Sequence, residues 1–199
     1  MKKFFHYAYG TIVRPVVTCR ELAQEKNLWQ GWAAVLLIGI LYSVVCAIAA
    51  TRGIEPATKP LLPISKESYY FWETFFVLPV YIGGWYLFAW VNLLLGRKLG
   101  GAVSLKSILI PLGFALSIPL IPIMWTTDLV CISFVIDLRT KGVLGQAWGV
   151  FYQIFTVLWV VVVCIITTRE AHRIPLWKAI VTTLISVLPF AFISAVSIR

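Results

Sequence analysis

Five stretches of this chain, residues 27–51, 74–96, 107–127, 142–168 and 179–198, contain no Asp, Glu, Lys or Arg. A helix rises ~1.5 Å per residue and bilayer hydrocarbon is ~30 Å thick, so each stretch matches one membrane crossing. A soluble domain of 199 residues could not cover them, because 60% of the chain is hydrophobic and only 13% is charged. The expected fold class is therefore all-α: a five-span transmembrane helical bundle forming one domain over residues 1–199. Its spans fall near residues 29–50, 73–95, 106–126, 146–168 and 177–197, after a lead-in over 1–27. One more apolar run, 129–136, lies between Asp128 and Asp137. Eight residues are too few to cross, so it reads as an interfacial or re-entrant piece.

An odd number of spans puts the termini on opposite sides. The side with the N-terminus and the segments 97–106 and 169–178 holds eleven cations and three acids; the other holds six and five. The positive-inside rule then places the N-terminus in the cytoplasm and the C-terminus outside. A face this basic suits anionic lipid headgroups, or acidic membrane-protein partners, and no nucleic acid is expected.

At the start, Lys2 and Lys3 precede aromatics in the manner of a signal peptide. His6, Tyr7, Tyr9 and Thr11 dilute the apolar core, and Arg14-Pro15 cuts it short, so the segment reads as retained. Thr18 lies three residues ahead of Glu21, a capping-box spacing that predicts a short helix over 18–26 on the cytoplasmic surface. Phe4, Phe5, Tyr7 and Tyr9 suit an interfacial anchor. Trp29, Trp32, Tyr69, Tyr70 and Trp72 sit at span entries, where amphipathic rings meet headgroups.

The twelve residues "GRKLGGAVSLKS", 96–107, join the second and third spans. Gly96, Gly100 and Gly101 stop one helix and Ser104 caps the next, so the segment is first a turn. The third span contains Pro111, Pro119 and Pro122 with Gly113. Each proline removes a backbone donor, which predicts a kinked or broken helix inside the bundle.

No catalytic, cofactor or metal motif occurs. His6 and His172 lie on separate segments, the four cysteines are far apart, and the acids fall at span ends. Glu73 reads as interfacial, where its carboxylate reaches water, in preference to a proton-relay residue at membrane depth. An enzyme is not expected.

The stretch "LGGAVSLKSILIPLGFALSIPLIP" resembles the glycine-glycine, serine, lysine, glycine and proline pattern of the Yip1 domain family. "LWVVVVCIITTREAHRIPLWKA" is similar to that family's fourth span, its arginine-bearing turn and a lysine-alanine pair, and "RPVVTCRELAQEKNLWQGW" resembles its proline-containing lead-in. The resemblance implies a five-span bundle with a cytoplasmic N-terminus, and marks Gly100, Gly101, Ser104, Lys106, Gly113, Pro119, Arg169 and Lys178 as motif residues. Eukaryotic members act in vesicle trafficking with Rab GTPases. This chain lacks their "DLYGP" motif and long hydrophilic N-terminal region, so it looks more like the compact prokaryotic members of a plasma membrane. Two functions fit. One is a non-enzymatic organiser of membrane components or partners. The other is a small transporter or lipid translocase built around the broken third span.

Overall fold

Each apolar stretch is helical in the computed structural model, which describes residues 2–56, 59–134, 136 and 142–198. In chain order the helices are α1 Lys2–Val13, α2 Pro15–Gln24, α3 Trp29–Thr51, α4 Tyr69–Lys98, α5 Leu105–Ser117, α6 Thr126–Ser133, α7 Gly142–His172 and α8 Leu176–Ser197. Between α5 and α6 the backbone tightens to a 3₁₀ turn, Ile118–Leu120, then widens to a π turn, Ile121–Trp125. The described residues include no strand. Five helical runs are long and apolar enough to cross a membrane: Trp29–Thr51, Tyr69–Lys98, Leu105–Ser133, Gly142–His172 and Leu176–Ser197.

The third run sits in the middle of the bundle, and every residue from Ile108 to Leu120 is buried. It crosses α3 in backbone contact. A Cβ on Gly113 would lie 2.8 Å from the Gly31 carbonyl oxygen, and one on Gly31 would lie 2.9 Å from the Ile110 Cα. Small residues allow such approaches where packing, rather than water exclusion, joins helices. Pro119 and Pro122 open the 3₁₀ and π turns, and the altered ladder is closed locally. The Ile121 amide donates to Ile118, and the Thr126 hydroxyl donates to the Ile121 carbonyl at 2.8 Å. The Trp125 indole ties the π turn to the Leu41 carbonyl of α3 at 3.0 Å.

Outward faces are apolar, as lipid requires: Ile40, Val44, Phe75, Trp90, Leu158, Val162, Leu188 and Phe192 are all exposed. Inside, Trp85 packs edge-on against Trp32 and donates its indole N–H to the Leu109 carbonyl at 3.0 Å.

Three expectations change. Residues 129–133 are not a separate interfacial piece, because α6 continues the third run through Ser133; Asp128 can stay within it because Tyr42 and Tyr152 donate hydroxyl hydrogens to its carboxylate. Helix α2 begins at Pro15 rather than at a Thr18 cap, since proline at a first helical position is pre-set for the helix. Glu73 does not reach water. It lies on the inward stripe of α4 with Tyr69, Val77 and Tyr81, and its side chain is fully buried. Asp137, Arg139, Lys141 and Arg199, counted above with the outer charges, lie outside the described residues.

Candidate functional site

Helices α1 and α2 form a hairpin bent at Arg14-Pro15 that packs onto one end of the bundle, here the hairpin end. Thr18 sits against Gly10, where any Cβ would overlap its hydroxyl. Phe4, Tyr7, Ala8 and Ile12 pack against Ile110, Phe114 and Ile118, while Phe5 and Tyr9 face outward. Glu25 locks the hairpin's base. It accepts from the backbone amides of Lys26 and Asn27 (2.9 and 3.0 Å) and from the Tyr7 hydroxyl (3.1 Å), with Lys3 at 3.5 Å. The Asn27 amide foremost, with the other donors, holds this carboxyl below its ordinary range, whereas burial and the bond to Glu25 push the Tyr7 phenol up. Helix α2 is fixed to α7 by Arg20, which donates to Glu170 at 2.9 Å, and by Cys19 against the Thr167 hydroxyl at 3.1 Å. Burial pushes the Cys19 thiol up to about 11, so it is not a reactive thiolate.

The α4–α5 turn is built on two nested bonds. Gly100, at φ +99°, donates to the Arg97 carbonyl (3.1 Å) and Gly101 to the Gly96 carbonyl (2.8 Å). This is a Schellman cap, which needs a left-handed residue and so favours glycine. Gly96 and Gly101 serve another purpose: a Cβ on either would overlap the imidazole of His172. His172 is only 3% exposed. Its Nε2 is 3.2 Å from the Asn92 Oδ1, and the Asn92 amide donates to Thr168 (2.9 Å) and Ser186 (3.1 Å). Since that amide group is the donor to two hydroxyls, Oδ1 accepts and the His172 proton resides on Nε2. The Thr183 hydroxyl completes the network on Thr168 at 2.9 Å. A turn glycine pair and a histidine seventy residues away are thus one packing unit.

Where α2, the α4–α5 turn and the α7–α8 turn meet, a cavity of about 960 Å³ opens. Arg20, Arg169, Arg173, Ser104, Ser107 and His172 line it, with Glu170 its one acid. Ser104 caps α5 by accepting from the Ser107 amide at 3.2 Å. Among the motif residues, Gly100, Ser104 and Arg169 border this cavity. Gly101 abuts His172 beside it, and Lys178 donates to the Leu99 carbonyl at 2.9 Å, closing the α4 terminus. Lys106 is exposed on the first turn of α5. Gly113 and Pro119 are elsewhere, at the α3 crossing and the 3₁₀ turn. Arg20, Arg173 and His172 were missed in the sequence. Their only signal was membership of the basic segments.

The far end holds a second polar cluster. Tyr152 donates to the Asp128 carboxylate at 3.0 Å and Tyr42 at 3.4 Å, with Tyr81 stacked on Tyr42 at 6.0 Å. Among the described residues, no three of His, Cys, Asp or Glu group as a metal site.

A helical bundle with five membrane-crossing runs, a central broken helix and an N-terminal hairpin is an integral, multi-pass membrane protein. The family model of the Yip1 domain matches residues 9–198, and the chain belongs to that family. Its members are generally non-enzymatic membrane proteins. No curated protein and no solved structure matches the chain significantly.

Proposed function

We propose that this chain is a non-enzymatic organiser of membrane components in a prokaryotic plasma membrane. Its hairpin end faces the cytoplasm, its C-terminus lies outside, and its basic residues engage anionic headgroups or acidic segments of membrane partners. The observation that carries this reading is the distribution of polar groups along α7. Tyr152 and Thr156 are buried towards one end, and Thr167, Thr168 and His172 towards the other. Between Thr156 and Thr167 the buried side chains are Val163 and Cys164, a dry interval of roughly 16 Å at ~1.5 Å per residue. A solute or headgroup path would need polar partners there. A backbone carbonyl in the broken part of the third run also meets a protein partner, since Ile121 accepts from the Thr126 hydroxyl at 2.8 Å.

Fluorescent-lipid translocation in liposomes holding the purified chain tests this. The expected result is a rate equal to that of empty liposomes. Translocation that disappears in a folded Pro119→Ala/Pro122→Ala variant would replace the organiser with a translocase. Orientation needs introduced cysteines, because native Cys19 is fully buried. In a cysteine-free background, an impermeant thiol reagent on intact cells should label Leu61→Cys, in the exposed α3–α4 loop, and spare Lys98→Cys. The reverse pattern would invert the topology.

A further inference from the structure

We infer that the cavity at the hairpin end is a binding site for a phosphate group, in particular a phosphomonoester. This deepens the reading above and rests on it. Glu170 is bonded to Arg20 through both the Nε and an Nη, each at 2.9 Å, which leaves the cavity without a free acid. Arg169 and Arg173 have no carboxylate partner among the described residues, although both line the same space. Two unmatched guanidiniums and two serine hydroxyls at the start of a thirteen-residue helix line one space and form a donor set of the charge and chemistry that phosphate oxygens take.

Two further observations bear on the site. His172, though 3% exposed, borders the cavity, and its Nδ1 has no hydrogen-bond partner among the described residues. The network fixes the proton on Nε2, which leaves Nδ1 a buried acceptor at the cavity's border, matched to the P–OH of a phosphomonoester monoanion. Then there is Arg173. Three described helices end on a left-handed residue: α3 on Gly53 (φ +63°), α4 on Gly100 (φ +99°) and α7 on Arg173 (φ +55°). Only the last is not glycine, and it carries a steric cost that glycine avoids. The backbone alone would prefer glycine there, so Arg173→Gly can remove the guanidinium without straining the turn.

The cavity lies level with the span termini, where lipid phosphates sit. A phosphomonoester headgroup and a free phosphate share this chemistry, and the arms of the test separate them. The full-length chain in neutral detergent is heated with dioctanoyl phosphatidic acid, dioctanoyl phosphatidylglycerol or inorganic phosphate. The expected result is a saturable rise in Tm with phosphatidic acid, with at least tenfold weaker apparent affinity for phosphatidylglycerol. Arg173→Gly should fold at least as well as the native chain and lose that affinity at least tenfold. Lys106→Ala, outside the cavity, should keep it. An equal rise with inorganic phosphate, again lost in Arg173→Gly, assigns the site to free phosphate. Equal shifts with both lipids that Arg173→Gly leaves unchanged, or no shift with any probe, would overturn the site. Neither result would overturn the organiser, whose failure appears as translocation in liposomes.

Discussion

The two ends of the bundle bury polar groups by different means. At the hairpin end the network is neutral: an amide, an imidazole and three hydroxyls from α4, α7 and α8, all with an inward partner. At the far end the centre is a carboxylate, Asp128, only half-buried and met by tyrosines from α3 and α7. Neutral groups can be sealed fully because each hydrogen bond offsets the desolvation of its partners. Asp128 stays nearer the surface, where phenols lend it donors, whereas Glu73 at the same end is sealed inside the bundle. The comparison separates a rigid polar clamp from a softer polar edge, with the dry middle of α7 between them.

The largest predicted effect breaks the clamp through its packing. Gly101→Val drives a branched side chain into the His172 ring, and overpacking of this kind costs roughly 1–3 kcal/mol or more. Folded yield in detergent should fall sharply. Gly100→Val should also fall, from its positive φ alone, since a Cβ there meets nothing within 4 Å. Lys98→Ala should be neutral. The decisive measurement is a double-mutant cycle: His172→Ala should recover much of the loss from Gly101→Ala and none of that from Gly100→Val. Additive losses at 101 and 172 would dissolve the proposed unit.

A smaller effect compares the clamp and the edge directly. Asn92→Leu removes three interhelical bonds, which at about 0.6 kcal/mol each in membranes amounts to roughly 2 kcal/mol. Asp128→Asn keeps an oxygen for one of the two tyrosines and offers the other an N–H that its hydroxyl can accept, so it should cost less than about 1 kcal/mol. Both can be read as shifts in Tm in one detergent. If Asp128→Asn proved the more damaging, the far end would be the rigid element and the comparison would reverse.

Much of the architecture is legible in the sequence because it follows from one-dimensional quantities. The five charge-free stretches became five membrane-length helical runs, and the ordered motifs led to the Yip1 family. What was not legible depends on rotation about a helix axis or on a distant partner. Glu73 is near a span end by count, yet its place on the Tyr69–Tyr81 stripe turns it inward. Asp128 looked like a boundary because a charge ended an apolar run, and only the two tyrosines, 86 and 24 residues away, allow the helix to pass it. Gly101 reads as a turn residue, but its neighbour is His172, which no local pattern connects to it. The cavity has the same origin: one helix and two turns contribute to it, and each alone is an ordinary basic segment.

The smallest predicted effect asks whether the hairpin can loosen without the clamp. Glu25 has its pKa lowered in the folded state, first by the Asn27 amide and then by Tyr7, Lys26 and Lys3. Its contribution is therefore complete above the unfolded value of about 4.3 and is lost as pH falls through the folded value. The Lys3 contact is exposed and worth less than about 1 kcal/mol, so the hairpin should loosen while the bundle stays intact. Cys19 reports the opening, because it is fully buried between α2 and Thr167. With the other three cysteines replaced by alanine, a pyridyl disulfide that reacts in acid should modify Cys19 faster as pH falls through the lowered pKa of Glu25. Glu25→Gln, which resembles the protonated carboxyl, should raise the neutral-pH rate and flatten the profile. A native profile that is already flat would mean that the apolar contacts of Phe4, Tyr7 and Ile12 hold the hairpin without Glu25. In that case the hairpin would belong to the rigid clamp.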